Sequence, residues 1–463
     1  MSTRLVKKVF RKSRKMHFIG IGGAGMSGIA EILINLGYEV SGSDLKESDT
    51  TKRLASLGAK IFMGHFPSNI GDYHVVITST AVNLLSNPEV IEARHRKIPV
   101  IHRSEMLAEL VRLKYGIGVA GTHGKTTTSS MMAHLMWSCG QNPTSIIGGK
   151  VLNFGSHARA GEGEYLVFEA DESDGSFLKL LPTITVVTNI DADHLDHYKY
   201  FEGLKDAFLQ YINNIPFYGY SVLCADDPTI AEILPRVERP YFTYGFGEKC
   251  DFRAQNLHLD GVTTYDCYRR GELLGKIELS VLGRHNVLNS LAVIAVASEL
   301  EIPFADIQKG LKSFVGVGRR LELIGEAKGI TIMDDYGHHP TEIRATLDAL
   351  RAKGRRVVAV FQPHRYSRTQ LLFEDFGKAF GAADELFLTE IYPAGEAPIE
   401  GVSSALIKDA IQRNGMRDVE IISRFEDIPK TVIPRLKKGD ILLTLGAGDI
   451  TKAGPLVLAE LGK

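Results

Sequence analysis

Tyr115-Gly116-Ile117-Gly118-Val119-Ala120-Gly121-Thr122-His123-Gly124-Lys125-Thr126-Thr127 is the stretch on which the fold turns. Its first six residues read as a short apolar strand. A glycine-punctuated loop follows, and helix periodicity runs from Ser129 to Cys139. Gly-Lys-Thr between a strand and a helix is suited to phosphate. Backbone N–H groups and a lysine surround the β- and γ-phosphates, and a hydroxyl reaches Mg²⁺. The stretch departs from strict G-x-x-x-x-G-K-[ST], because Val119 holds the first glycine position. Gly121, Thr122, His123, Gly124, Lys125, Thr126 and Thr127 are therefore candidate nucleotide-binding residues.

Three more motifs follow within the same αβ alternation. Glu169-Ala170-Asp171-Glu172-Ser173-Asp174 comes after an apolar run at Tyr165–Phe168. Carboxylates at a strand end beside a phosphate loop are natural Mg²⁺ ligands, and clustered like charges need a cation. Thr188-Asn189-Ile190-Asp191-Ala192-Asp193-His194-Leu195-Asp196-His197 follows the run Ile184–Thr188 and offers a metal or acid–base cluster. Gly283-Arg284-His285-Asn286-Val287-Leu288-Asn289 opens an Ala- and Leu-rich helix. Its Asn286 and Asn289 can donate and accept, as an adenine edge requires; Asn286 can equally serve as a helix cap.

Upstream, Met16–Ile19 reads as a strand leading into Gly20-Ile21-Gly22-Gly23-Ala24-Gly25 and a helix that Gly37 stops. A second strand ends at Ser43-Asp44, about 20 residues beyond the last glycine of this G-x-G-x-x-G. Such a loop brings backbone to a diphosphate at a helix N-terminus, with the acid placed for a ribose. Taken alone, Gly20 to Asp44 would suggest a nicotinamide-dependent oxidoreductase. Downstream, buried-looking strands at Ile330–Met333, Arg356–Phe361, Glu385–Thr389 and Asp440–Leu445 mark a third αβ region. It carries Gly318-Arg319-Arg320, Asp334-Asp335-Tyr336-Gly337-His338-His339-Pro340 and Gln362-Pro363-His364-Arg365-Tyr366-Ser367-Arg368. Tyr336 can stack on a base, and Arg365 and Arg368 can hold a carboxylate by paired hydrogen bonds.

Composition narrows the class. With 463 residues, about 150 per domain suggests three domains. Lys plus Arg is 54 and Asp plus Glu is 55, so there is no global basic field for a nucleic-acid backbone. No apolar run reaches the ~18 residues of a membrane span. The four cysteines, Cys139, Cys224, Cys250 and Cys267, form no CxxC pair and read as reduced thiols of a cytoplasmic protein. A basic stretch (Arg4, Lys7, Lys8, Arg11, Lys12, Arg14, Lys15) has no apolar segment of a secretory signal and reads as a solvated extension.

In order, GIGGAGMSGIA, SGSD, HRSEML, GTHGKTTT, EADESD, TNIDADHLD, GRHNVLN, GVGRR, DDYGHHPTE, FQPHRYSRT and YPAGEAPI resemble the bacterial muramyl ligases over residues 17 to about 450. The resemblance implies an α/β chain of three domains. These are a Rossmann-like UDP-sugar domain (1–113), a central P-loop ATPase-like domain (114–317) and a Rossmann-like C-terminal domain that closes with the amino acid (318–463). It implies ATP and Mg²⁺, with Mn²⁺ as the alternative, and L-alanine joined to UDP-N-acetylmuramate through an acyl phosphate. Gly20, Gly22, Gly23, Gly25, Asp44, His65, Ser79, Thr80, His102 and Arg103 would then line the UDP-sugar pocket. Thr126, Glu169 and His194 would hold the metal. Asn286, Asn289 and Tyr336 would sit near adenine, and Arg320 and Asp335 would contact ATP. His338, His364, Arg365 and Arg368 would serve the alanine and acyl-phosphate region. Lys125, Glu169, His194, Arg320, Asp335 and His338 form the implied catalytic set. A relative that attaches a whole tripeptide to the same sugar nucleotide is the nearby alternative. A monomer or a homodimer is expected.

Overall fold

The computed structural model describes residues 13–463. Most of the basic N-terminal stretch, Arg4 to Lys12, lies outside the described residues. Contacts divide the chain into two compact units. One comprises residues up to Asn256, Tyr265–Glu278 and Leu288–Val315; the other comprises Leu257–Thr264, Leu279–Val287 and Gly316–Lys463.

The first sheet has five strands: β1 (Lys15–Ile19), β2 (Glu39–Asp44), β3 (Lys60–Met63), β4 (Val75–Thr78) and β5 (Val100–His102). They run parallel in the order β3-β2-β1-β4-β5. The winding reverses at β1, which opens a crevice at the strands' carboxyl ends. Helix α1 (Ala24–Asn35) follows β1; α2 (Asp49–Ser56), α3 (Pro88–His95) and α4 (Arg103–Val111) complete the layer. Gly37, with φ +84°, takes the left-handed turn after α1 that a side chain would resist.

The second sheet begins with β6 (Tyr115–Ala120), followed by α5 (Lys125–Ser138), β7 (Thr144–Val151), β8 (Ser156–Arg159), β9 (Tyr165–Glu169) and β10 (Ile184–Val187). Then come β11 (Tyr220–Cys224), β12 (Tyr241–Gly245), β13 (Phe252–His258), β14 (Thr263–Arg269) and β15 (Glu272–Leu279). The order is β15-β14-β13-β12-β11-β10-β6-β9-β7-β8. β6 lies between β9 and β10 and is parallel to both, so three motif-bearing loops leave the same edge side by side. Within this unit α1 packs on β7 and β8. A Cβ on Gly28 would lie 3.3 Å from Ile146 and 3.5 Å from Ala158, a close approach that glycine permits.

The centre of β6 is tight as well. A methyl on Gly118 would collide with the Tyr211 hydroxyl and lie 2.9 Å from the Phe168 ring, and both side chains are fully buried. Gly118→Ala is expected to cost about 1–3 kcal/mol of stability through overpacking. Denaturant unfolding measures it, and an unchanged midpoint would contradict the packing argument.

The third sheet contains β16 (Glu322–Ala327), β17 (Ile330–Asp335), β18 (Val357–Phe361), β19 (Glu385–Thr389), β20 (Val419–Ile422) and β21 (Ile441–Leu445). Its order is β16-β17-β21-β18-β19-β20, with only the β16 edge antiparallel. The four inner strands are buried along their whole length and match the four expected apolar runs. The edge strands β16 and β20 escaped the sequence pattern. β16 is half exposed and bulged near Leu323 and Gly325, so it shows no apolar run. No described helix is long and apolar enough to cross a membrane, and all four cysteines are free thiols.

Candidate active site

The phosphate loop is held by its neighbour after β10. The Thr122 N–H donates to the Asn189 carbonyl at 3.1 Å, and the His123 N–H donates to Asn189 Oδ1 at 2.8 Å. Asn189 Nδ2 returns a bond to the His123 carbonyl at 2.9 Å, and Thr188 Oγ1 donates to the same carbonyl at 2.5 Å. The Asp191 N–H donates to Thr122 Oγ1 at 2.9 Å. Gly121 (φ +128°) and Gly124 (φ +85°) take backbone angles that favour glycine, and Gly124 caps α5. The N–H groups of the first turn, including Thr126 and Thr127, begin the helix there. Asn289 stands against the loop, its Oδ1 2.9 Å from where a Gly124 Cβ would lie.

Lys125 points back into this loop. Its Nζ donates to the Gly121 carbonyl at 2.7 Å, to Thr122 at 3.2 Å and to Glu172 Oε1 at 3.0 Å. Burial disfavours its charge, but Glu172, Asp171 and Glu169 outweigh that and hold the pKa above the ordinary lysine value. Glu169, ending β9, accepts from the Gly148 N–H at 2.7 Å, Thr126 Oγ1 at 3.1 Å and Ser129 Oγ at 3.4 Å. The His194 ring lies 3.8 Å from both Glu172 and Asp193 and has φ +56°.

This donor set fits a divalent cation. It is mostly hard oxygen, and three carboxyls crowd one ammonium. Burial pushes the Glu169 and Glu172 carboxyls up against the pull of Lys125. Asp171 alone is held below the carboxylate range: burial opposes this, and Lys125 and Arg103 prevail. Glu172 was visible in the acidic motif, but its pairing with Lys125 was not.

At the carboxyl end of the first sheet, the Gly20 and Ile21 N–H groups donate to the Ser43 carbonyl at 2.8 and 3.0 Å. Gly23 caps α1. Asp44 Oδ2 accepts from the Gly22 N–H at 2.9 Å, so the expected ribose acid also braces the glycine loop. His65 follows β3 and lies against Ser43 at 2.9 Å. Ser79 and Thr80 form the exit of β4, Thr80 being exposed. His102 and Arg103 begin α4. Arg103 lies over Gly25, Nη1 2.6 Å from where a Cβ would stand, and its Nη2 bonds Asp171 at 3.2 Å. His102 lies 3.9 Å from Asp174, and Glu105 lies 3.7 Å from Lys179. Two ion pairs, Arg103–Asp171 and Glu105–Lys179, thus tie the start of α4 to the chain after β9; burial lowers the His102 pKa, so its approach to Asp174 is that of a neutral ring. Arg103→Ala removes the first pair and frees space over Gly25; we expect KM for a diphosphate substrate to rise ~10-fold, the scale of one charge-assisted hydrogen bond. Steady-state kinetics check it, and an unchanged KM contradicts it.

The second unit gathers the remaining candidates. Asp335 accepts from the Leu321 N–H and the Gly337 N–H, both at 2.8 Å, and burial raises its carboxyl to about 6. Arg320 Nη1 bonds Glu342 at 3.4 Å. The Arg319 and Arg320 guanidinium carbons lie 5.0 and 5.1 Å from the Tyr336 ring centre. Arg319, outside the candidate set, also bonds the buried Asp334 at 3.1 Å and the Gly446 carbonyl at 2.6 Å. Asn286 Nδ2 donates to the Leu282 carbonyl at 2.7 Å, just ahead of its own helix (Arg284–Glu299). His338 and His364 meet edge to face at 5.7 Å, and His364 stacks on Tyr392. Arg365 is exposed with φ +72°, and Arg368 lies in the first turn of the helix Tyr366–Gly377.

Burial, with Arg368 nearby, pushes the His338 imidazole down to about 3 and the His364 imidazole to about 4. Both rings are neutral near pH 7. In the unfolded chain they protonate near 6.5, so that state binds more protons between about 6.5 and 4. Their contribution is complete above pH 6.5 and is lost as pH falls. The melting temperature of His364→Gln should therefore drop less than wild type over that window. Parallel curves would contradict the burial account.

Three family models match the chain in succession. Residues 15–115 match the model described as Mur ligase family, catalytic domain; residues 119–297 match the Mur ligase middle domain; and residues 319–448 match the Mur ligase, glutamate ligase domain. The chain belongs to the Mur ligase family. It is 56% identical over 457 residues to the UDP-N-acetylmuramate–L-alanine ligase of Geobacter sulfurreducens, covering 98% of this chain and 99% of that one. The crystal structure of UDP-N-acetylmuramate-alanine ligase MurC from Thermotoga maritima superposes with TM-score 0.82 at 29% identity, covering 96% and 98% of the two chains. The murein peptide ligase of Psychrobacter arcticus gives TM-score 0.73 at 25% identity, covering 97% and 99%.

Proposed function

We infer that this protein is an ATP-dependent ligase that forms the amide bond between the lactyl carboxylate of UDP-N-acetylmuramate and L-alanine, in peptidoglycan precursor synthesis. The observation that carries this is the convergence of Lys125 and Thr126, at the start of α5, with Glu169 at the end of β9 and Glu172 just beyond it, joined to 56% identity over 98% of the chain with an alanine-adding relative.

The chemistry follows from the substrates. A carboxylate is a poor electrophile: its charge repels an amine and it has no good leaving group. One of its oxygens attacks the γ-phosphorus of ATP, the bond to the β-phosphate oxygen breaks, and ADP leaves. The amine of alanine then attacks the acyl carbon, loses a proton and expels phosphate. Lys125 and the loop N–H groups stabilise charge on the transferring phosphoryl oxygens. Mg²⁺, or Mn²⁺, would be held by Thr126 and Glu169 with His194 alongside, and would neutralise phosphate charge. Gly20, Gly22, Gly23, Gly25, Asp44, His65, Ser79, Thr80, His102 and Arg103 are assigned to the sugar nucleotide. Asn286, Asn289, Arg320, Asp335 and Tyr336 are assigned to ATP, and His338, His364, Arg365 and Arg368 to the amino acid and acyl phosphate. A cytoplasmic protein, monomeric or homodimeric, with domains at 1–113, 114–317 and 318–463 completes the reading.

A coupled assay tests it. ADP and phosphate should appear only when UDP-N-acetylmuramate, L-alanine and ATP are all present. AMP as product would overturn the acyl-phosphate route. Turnover with a tripeptide but not with alanine would reassign the chain to the peptide-adding relatives.

A further inference from the structure

One buried carboxylate in the first sheet lies outside every motif above. Glu89 sits in the first turn of α3, after the Asn87 cap and Pro88, and is fully buried. A charge in such a place needs several partners. Its Oε1 accepts from Asn69 Nδ2 at 2.6 Å and lies 3.6 Å from His17 Nε2. Its Oε2 accepts from Ser43 Oγ at 2.6 Å and lies 3.1 Å from His65 Nδ1. Burial raises the carboxyl, but the bonds from His17, Ser43 and Asn69 outweigh it and hold it below the ordinary range.

The hydrogens in this cluster can be assigned. Ser43 gives its hydroxyl hydrogen to Glu89 at the short distance. The Ser43 oxygen is then free to accept, and His65 Nδ1 stands 2.9 Å from it and 3.1 Å from Glu89 Oε2. Both neighbours of Nδ1 accept, so Nδ1 carries the hydrogen and Nε2 is left for a ligand. The same Ser43 holds the glycine loop through its carbonyl, and Asn69 also bonds the Gly64 carbonyl at 3.0 Å. One carboxylate thus braces the His65 ring, its loop and the residue that shapes the glycine turn.

We propose that Glu89 is a positioning residue for sugar-nucleotide recognition, fixing the tautomer and ring orientation of His65 so that Nε2 faces the ligand. This rests on the reading of His65 as part of the sugar-nucleotide pocket. Glu89→Gln keeps the volume. Its carbonyl can serve only one side of the cluster, and its amide donor then opposes either Asn69 or the His65 Nδ1–H.

The test is a double-mutant cycle read by steady-state kinetics, with ¹⁵N NMR of the His65 ring. Glu89→Gln is expected to raise KM for UDP-N-acetylmuramate ~10-fold, with kcat and KM for ATP within about twofold. His65→Ala is expected to raise the same KM, and Glu89→Gln added to it should change nothing further. The ring spectrum should show Nδ1–H in the wild type and lose it in Glu89→Gln. If Glu89→Gln folds poorly, Ser43→Ala serves instead: Glu89 Oε2 still accepts from Nδ1, so the Nδ1–H signal should persist, and its loss would show that Glu89 does not set the tautomer. An equal effect of Glu89→Gln with and without His65 would overturn the proposal and leave the pocket reading intact. No effect of His65→Ala on that KM would refute the pocket reading, and the proposal with it.

Discussion

Lys125→Ala is expected to lower kcat at least ~100-fold, the scale of losing one preorganised charge from a site where charge develops. The lysine has a second job, which complicates the experiment. Its Nζ is the nearest cation to the buried Glu172, at 2.9 and 3.0 Å. Removing it strands a carboxylate, a loss of about 3–5 kcal/mol when one member of a buried pair is deleted. Activity could then fall because the protein unfolds. Lys125→Ala with Glu172→Gln separates the two effects: stability should return and turnover should not. ADP release by a coupled assay and a thermal melt on both variants suffice. A folded double variant with wild-type kcat removes Lys125 from the chemistry.

Glu169→Gln is expected to have the next largest effect. Its carboxylate sits between the Thr126 hydroxyl and the Gly148 N–H and is deeply buried beside Lys125. The amide can still accept from Gly148, so the fold is expected to survive. What it loses is a full negative charge toward a divalent cation. Outer-shell partners alone cost about 10–100-fold in metal affinity, and a direct ligand costs at least that. The Mg²⁺ concentration for half-maximal rate should rise by that factor, and kcat at fixed low Mg²⁺ should fall accordingly. A titration of rate against Mg²⁺ measures it. An unshifted curve would place the ion elsewhere.

What the chain order reveals, and what it hides, has a physical reason. The inner strands β6, β17, β18, β19 and β21 are continuous apolar runs because parallel strands are covered on both faces. Their loops carry residues whose chemistry is restrictive, such as Gly-Lys-Thr, and so they announce themselves. β16 and β20 do not, because edge strands need no such run. Glu89 was invisible for a different reason. A lone glutamate in Pro-Glu-Val reads as an ordinary helix start, and its burial comes from Ser43, His65 and Asn69, which lie 20 to 46 positions away. Asp44 was seen for its spacing, but its bond to the Gly22 N–H was not.

The phosphate loop is stitched by its own chain to the segment that follows β10. Its shape is part of the folded state, so binding has little backbone left to organise. In the proposed reaction the same stitches would keep the mould in shape from one turnover to the next.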